Sequence, residues 1–228
     1  MKGEGKAIVL LHGYLSSKES FAYQINALQK YRKVYAPDLM GFGKSPKLES
    51  AYSLDDYVKS VYDFITECKL DSYDLLAHSF GGRIAIRLAS IDKRLDKLIL
   101  TGSAGLKPKR KISYYFKVYL YKILKKFLPR KLLKNFGSSE YRSLGPIMRQ
   151  SYIKIVNTYQ DSELDSIKNK TLILFGREDK STPLYMAKKL NQKIKNSTLN
   201  IIEGAGHFAF LDKPLLFNVY LKEFLLGD

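Results

Sequence analysis

The feature that most constrains the fold of this chain is a repeated alternation of short apolar runs with helical patterns. Six runs are rich in Ile, Leu and Val and lack polar alternation, which is typical of parallel strands buried on both faces. These runs span residues 7–11, 34–36, 73–77, 98–101, 171–175 and 199–202. Helical patterns lie between most of them, at residues 20–30, 54–69, 82–90, 183–194 and 214–226. The order predicts an α/β fold with an open, mostly parallel sheet and helices on both faces.

One interval interrupts this alternation. Residues 105–165 contain helical and loop patterns but no convincing strand. We therefore predict a helical cap at 105–165, inserted into a single core formed by residues 1–104 and 166–228. A chain of 228 residues is long enough to bury one such core.

In parallel sheets, ligands bind beyond the carboxyl ends of the strands, so the residues directly after each run are candidates for a site. The third run is followed by Ala77-His78-Ser79-Phe80-Gly81 and an apolar helix. This is the Gly-x-Ser-x-Gly pattern with Ala in the first position. Such a serine lies on a strained strand-to-helix turn, and the residues two before and two after it must be small. Ser79 is therefore the candidate nucleophile, with the helix amino terminus directed at it.

A serine hydroxyl needs a base to remove its proton, and the chain has three histidines. His12 belongs to the first loop, and His78 adjoins Ser79 with its side chain expected to point elsewhere. His207 follows the last run on a glycine-flanked loop. A solvent-exposed loop histidine is the simpler interpretation, but the position and chain order favour His207 as the base.

The acid that orients the base should follow the preceding strand. Asp179 lies in the loop after residues 171–175, and Glu178 is its close rival. A capping role is the alternative for Asp179, but Thr182, which precedes Pro183, is expected to cap the next helix instead. The order Ser79, Asp179, His207 is typical of a Ser-His-Asp triad on this kind of sheet.

Negative charge on a tetrahedral intermediate requires fixed hydrogen-bond donors. His12-Gly13-Tyr14 follows the first run, and a His-Gly turn there would present a backbone amide. We predict an oxyanion hole formed by the amides of Tyr14 and Phe80. His12, Gly13 and Gly81 would support it as turn residues.

Together these motifs resemble the α/β-hydrolase superfamily, and more narrowly its small, capped, single-domain members. The resemblance rests on residues 12–13, 37–45, 77–82, 179 and 206–207, in that order. It implies a cofactor-independent serine hydrolase without a metal. Dehalogenases and epoxide hydrolases of this superfamily carry Asp where this chain has Ser79. The resemblance therefore favours hydrolysis of an ester or related acyl substrate, with C–C bond hydrolysis as an alternative.

Family members usually carry an antiparallel pair of strands before the His-Gly strand, whereas six residues precede it here. We therefore expect a minimal or truncated member whose exposed sheet edge favours self-association. The single cysteine, Cys68, excludes an internal disulfide, and a structural zinc cluster is not expected. A short apolar start and no run of membrane-spanning length favour the cytoplasm.

The formal net charge of +17 is concentrated in the predicted cap. Residues 107–154 contain 14 Lys or Arg and one acid, Glu140. Residues 111–128 form a basic amphipathic pattern, whose apolar face we expect to cover the active site while its lysines face solvent. Contact with an anionic membrane, or attraction of an anionic or lipid-like substrate, are the alternatives. Nucleic-acid binding is not expected.

Three aromatic residues of the cap, Tyr115, Phe116 and Tyr119, are predicted to shape the acyl pocket. Arg83 either binds an anion or, as we favour, donates to loop carbonyls behind the nucleophile. The alternative to an enzyme is a non-catalytic or membrane-surface binding protein on the same fold. Against it, each residue type that the chemistry requires is present.

Overall fold

The computed structural model describes residues 1–109, 119 and 139–227 of the chain. All six predicted strands are present, within three residues of the expected ends. They are β1 Ala7–Leu11, β2 Lys33–Tyr35, β3 Tyr73–His78, β4 Leu95–Thr101, β5 Lys170–Gly176 and β6 Ser197–Ile202. They form one parallel sheet in the order β2-β1-β3-β4-β5-β6. The predicted fold class is therefore confirmed.

The helices occupy the connections between strands. They are α1 Ala22–Leu28, α2 Leu54–Glu67, α3 Phe80–Ile91, α4 Ser139–Ser143, α5 Pro146–Val156, α6 Leu184–Lys193, α7 Ala209–Asp212 and α8 Pro214–Leu226. Short 3-10 helices cover Lys18–Phe21 and Leu164–Ser166. None of the helices in the described ranges is long and apolar enough to cross a membrane.

Both faces of the sheet are covered, as the apolar runs require. One hydrophobic cluster joins the sheet to α2, α3 and α6, and the other joins it to α1, α7 and α8. Successive strand residues point to opposite faces, so Val9 and Leu11 enter the first cluster while Ile8 and Leu10 enter the second. Full burial on both faces explains why β1 has no polar residue.

The ends of the helices follow local chemistry. Ser53 caps α2: its hydroxyl accepts from the Asp56 amide, and the Asp56 carboxylate accepts from the Ser53 amide. Two backbone amides at the start of the helix, which have no acceptor within the helix, are thereby hydrogen-bonded. α8 begins at Pro214, whose missing N–H costs nothing in the first turn.

The β2 edge of the sheet is partly covered by the chain itself. Lys2 forms an antiparallel bridge with Val34, in which each backbone amide donates to the other residue's carbonyl oxygen. Self-association through this edge stays a prediction. Between β4 and β5 the described residues form helices and loops and no strand. Most of the basic segment at 111–128 lies outside the described residues. The division into core and cap therefore stays a prediction.

Candidate active site

Ser79 joins β3 directly to α3 through a strained backbone conformation. Its φ is 50° and its ψ is −107°, in the left-handed half of conformational space that L-residues rarely occupy. Such a conformation costs of the order of 1–3 kcal/mol and persists only when the surroundings impose it. Here the Ser79 amide donates to the Thr101 carbonyl (3.1 Å), and its own carbonyl accepts from the amides of Gly82 and Ala104 (3.0 Å each).

Small residues around Ser79 are required by close backbone approach. A Cβ on Gly81 would lie 2.4 Å from the carbonyl oxygen of Leu11, and one on Gly82 would lie 2.1 Å from Ser103 Oγ. Ala77, in place of the more usual glycine, is fully buried and pairs in register with Leu11. The first turn of α3 therefore packs against the end of β1 at a distance that only glycine permits.

His207 and Asp179 are joined by a hydrogen bond of 2.9 Å between Nδ1 and Oδ2. The carboxylate is buried, and it accepts three further bonds: Oδ1 from the amides of Ser181 and Thr182 (2.8 Å each), and Oδ2 from Thr182 Oγ1 (2.7 Å). Burial raises the pKa of Asp179, but the hydrogen bonds from His207 and Thr182 outweigh it and the net pKa is lowered. Asp179 is therefore ionised and can only accept.

The expected role of Thr182 as a helix cap is wrong. Pro183 is the N-cap of α6 and offers no side-chain hydrogen bond, whereas the Thr182 hydroxyl donates to Asp179. Thr182 thus fixes the carboxylate, a contact that the sequence did not reveal. Glu178, the rival acid, is exposed, and in the described residues it is Asp179 that contacts His207.

The hydrogen bond to Asp179 determines the tautomer of His207. An ionised carboxylate accepts, so Nδ1 carries the hydrogen and Nε2 is left with a lone pair. His207 and Ser79 line the same cavity of about 260 Å³. These two described residues are not hydrogen-bonded to each other in this state, and catalytic bonds of this kind often shorten only when substrate binds.

The predicted oxyanion turn is held by His12. This buried imidazole donates from Nδ1 to the Gly13 carbonyl (2.8 Å) and accepts at Nε2 from the Leu39 amide (2.9 Å). Burial lowers the pKa of His12, so the ring is neutral with one donor and one acceptor. Tyr14 and Phe80 both line the cavity, and Phe80 is the first residue of α3, where amides have no intrahelical acceptor.

His78 also contacts the site, although sequence reasoning assigned it no role. Its fully buried ring lies 4.7 Å from the His207 ring, and its Nε2 bonds to the His207 carbonyl (3.1 Å). Burial, followed by the nearby His207, lowers the pKa of His78 to about 3. The ring is therefore neutral, donates from Nε2, and fixes the backbone of the loop that carries His207.

Part of the cavity wall comes from α5. Tyr152, Ile155 and Val156 line it together with Arg83 of α3. Tyr119 was predicted to shape the pocket, but its side chain is 65% exposed and is not part of this lining. Tyr115 and Phe116 lie outside the described residues, so their role stays a prediction.

The sheet is parallel, Ser79 lies at a strained strand-to-helix turn after β3, and the hydrogen-bonded Asp179 and His207 follow β5 and β6. This arrangement defines a class of hydrolytic enzymes. Residues 6–132 and 105–214 match the family described as the alpha/beta hydrolase fold. The chain belongs to this family.

Curated relatives include two proteins that align over nearly the whole chain. One is 2-hydroxy-6-oxo-2,4-heptadienoate hydrolase of Pseudomonas putida, 26% identical over 99% of this chain and 91% of that protein. Another is the AB hydrolase superfamily protein YisY of Bacillus subtilis, 29% identical over 97% of this chain and 92% of that protein. The first is named as a hydrolase, and the second is named as a member of the AB hydrolase superfamily.

Two solved structures show the same fold at similar identity. The esterase EaEST of Exiguobacterium antarcticum has a TM-score of 0.78 and 26% identity, covering 99% of this chain and 93% of that one. The meta-cleavage product hydrolase CumD of Pseudomonas fluorescens has a TM-score of 0.76 and 25% identity, covering 99% and 92%. The comparisons support a hydrolase, and they include both esterase and C–C bond chemistry.

Gly81→Ala is expected to destabilise the protein by about 1–3 kcal/mol, because the new Cβ would overlap the Leu11 carbonyl, a backbone atom. Gly145→Ala is the control, since nothing lies within 4 Å of a Cβ there. Gly145 is the N-cap of α5, where Gly is preferred to Ala, so this change should cost at most about 1 kcal/mol and involves no atomic overlap. Urea unfolding measures both. Equal effects of the two changes would show that α3 retreats from β1 without cost.

His78→Gln is expected to flatten the dependence of stability on pH. The folded-state pKa of His78, about 3, lies below its ordinary value of 6.5, so the unfolded chain binds the proton first. Wild-type stability therefore falls as pH drops from about 6.5 to about 3, by up to about 1.4 kcal/mol per pH unit from this group. Glutamine does not titrate and lacks that contribution. Urea unfolding at several pH values tests this, and parallel curves for the two proteins would contradict it.

Proposed function

We propose that the protein is a serine hydrolase of carboxylic esters in which Ser79 is the nucleophile, His207 the base and Asp179 the residue that orients His207. The observation that carries the proposal is the 2.9 Å bond between His207 Nδ1 and an ionised Asp179, which leaves Nε2 as the acceptor of a ring that shares a cavity with Ser79. The same three residue types perform acyl transfer on several unrelated folds.

In the first half-reaction, Ser79 Oγ attacks the ester carbonyl carbon while its proton passes to His207 Nε2. The negative charge that develops on the carbonyl oxygen is stabilised by the amides of Tyr14 and Phe80. The bond to the alkoxy group then breaks, and the proton on Nε2 transfers to the departing oxygen. The products of this step are an alcohol and an acyl group on Ser79.

In the second half-reaction, a water molecule attacks the acyl carbon and gives its proton to His207. Ser79 Oγ leaves with that proton, and the carboxylic acid is released. Throughout, Asp179 stabilises the imidazolium without becoming protonated, because its four hydrogen bonds favour the carboxylate. In both half-reactions, the groups that the protein contributes are side chains and backbone amides.

Hydrolysis of a C–C bond is the second candidate, and the similarity to 2-hydroxy-6-oxo-2,4-heptadienoate hydrolase over 99% of the chain favours it. It uses the same oxyanion site, but the atom that leaves the carbonyl is carbon and must receive a proton. The similarity to an esterase structure at the same level of identity favours the ester reaction equally. Substrate tests must therefore separate the two.

A fluorophosphonate probe is expected to label the wild-type protein and to leave Ser79→Ala unlabelled, because only an activated serine reacts with it. Ser181→Ala is the matched control, since this serine lines the same cavity and should leave labelling intact. Asp179→Asn should slow ester turnover by about 10⁴-fold through loss of the tautomer. Labelling is read by intact-protein mass spectrometry. Unlabelled wild-type protein would favour a non-catalytic binding role.

A comparison of para-nitrophenyl esters with 2-hydroxy-6-oxo-2,4-heptadienoate separates the two hydrolase candidates. We expect the best ester to exceed the dienoate in kcat/KM by at least about tenfold, which corresponds to about 1.4 kcal/mol of transition-state stabilisation. Release of nitrophenolate and loss of the dienoate absorbance are the readouts. The opposite ranking would assign the site to C–C bond hydrolysis.

A further inference from the structure

Arg83 is a buried cation beside the proposed nucleophile. It lies on α3, one turn beyond Ser79, is 8% exposed, and lines the same cavity. Its Nη1 donates to the carbonyl oxygen of Thr158, as the favoured interpretation of the sequence expected. Among the residues that the structure describes, no carboxylate forms an ion pair with it.

Arg87, the next arginine on the same helix, is paired with carboxylates and serves as a comparison for Arg83. Arg87 binds both carboxylate oxygens of Glu163, at 2.7 Å from Nε and 2.9 Å from Nη2, and also contacts Asp55. Burying a charge without a counter-ion is costly, and the cost is usually avoided by pairing. Arg83 is the more buried of the two and is the one without a carboxylate in the described ranges.

The remaining donors of Arg83 have the geometry of an anion site. With Nη1 bound to Thr158, the Nε and Nη2 hydrogens form one edge of the guanidinium and point in parallel. Two parallel donors match the two oxygens of a carboxylate. Burial lowers the pKa of Arg83 to about 10, and the group is still a cation at neutral pH.

A second cavity beside Arg83 has room for a ligand. It has a volume of about 290 Å³ and shares Arg83, Tyr152 and Thr182 with the cavity that contains Ser79. Beyond Arg83 it is lined by Leu106 and Met186, which are apolar and nearly buried. Arg83 therefore lies where the two cavities meet, so that one molecule could contact both Ser79 and the guanidinium.

We propose that Arg83 is a specificity-determining residue that binds a carboxylate on the acyl part of the substrate, a few carbon atoms from the carbonyl that Ser79 attacks. Residues four apart on a helix lie about 6 Å from each other, which suits the acyl chain of a dicarboxylic monoester. This inference rests on the proposed function, because it assigns a substrate class to the same site. The Thr158 bond holds the guanidinium in position for that contact.

The test compares para-nitrophenyl hemiglutarate with its methyl ester, which has the same chain length and no charge. In the wild type, kcat/KM for the charged ester should exceed that for the neutral one. Arg83→Met keeps the volume of the stem and removes the charge, and it should lower this ratio by about 10- to 100-fold, the usual effect of losing hydrogen bonds to a charged group. Arg87→Met removes the same charge from the same helix outside the cavities and should leave the ratio unchanged.

Two results would overturn the proposal: a wild-type ratio of one or less, or an equal loss for both esters in Arg83→Met, which would indicate that Arg83 only anchors Thr158. If Arg83→Met does not fold, Arg83→Lys replaces it. Lysine keeps the charge without the two parallel donors, so the ratio should still fall, by a smaller factor. An unchanged ratio in a folded Arg83→Lys protein would contradict the two-donor contact.

A binding measurement separates failure of this proposal from failure of the proposed function. Titration calorimetry of glutarate into Ser79→Ala should show binding that the added Arg83→Met change weakens by about tenfold or more. That result would support the anion site even in a protein that hydrolyses neither ester and is not labelled by the fluorophosphonate. Glutarate binding that is absent or independent of Arg83 would overturn the anion site while leaving the serine hydrolase proposal intact.

Discussion

The strained peptide at Ser79 is the constraint on which the rest of the site depends. Its carbonyl accepts from Gly82 and Ala104, and its amide donates to Thr101, so β3, α3 and the loop after β4 meet at a single residue. The bend allows the backbone to stay buried while the serine side chain lines a cavity. It also brings the first turn of α3 against the end of β1, where Gly81 meets the Leu11 carbonyl. The predicted oxyanion donors, Tyr14 and Phe80, come from the two elements that this contact joins.

Burial lowers the pKa of a histidine and raises the pKa of a carboxyl group, because in both cases it disfavours the charged form. Around that bend, the number of hydrogen bonds to each group decides whether burial sets its charge. His12 and His78 are buried with few compensating contacts, so burial lowers their pKa and each ring stays neutral. Asp179 is buried too, yet it receives four hydrogen bonds and its pKa falls rather than rises. The result is a set of fixed donors and acceptors whose orientation does not change near neutral pH, as a preorganised site requires.

Charge illustrates why position in the sequence does not by itself assign a role. Arg83 and Arg87 lie one turn apart on α3. Arg87 reaches Glu163 and Asp55, which come from distant parts of the chain, while Arg83 turns toward the cavities and a backbone carbonyl. The difference arises because the loop after α5 contacts α3 at Arg83, where the Thr158 carbonyl accepts from the guanidinium and Gln160 Nε2 donates to the Arg83 backbone carbonyl.

The amino-acid sequence is enough to predict the fold, because unbroken apolar runs are buried in a sheet covered on both faces, and their order with the intervening helices leaves few arrangements. It also gave the candidate residues Ser79, Asp179 and His207, since each follows a strand and parallel strands end at one edge. Three features are visible only in the tertiary structure: the contact between Thr182 and Asp179, the packing of His78 on His207, and the exposure of Tyr119. These depend on side-chain direction and on loops that meet from distant parts of the chain, which neither periodicity nor spacing encodes.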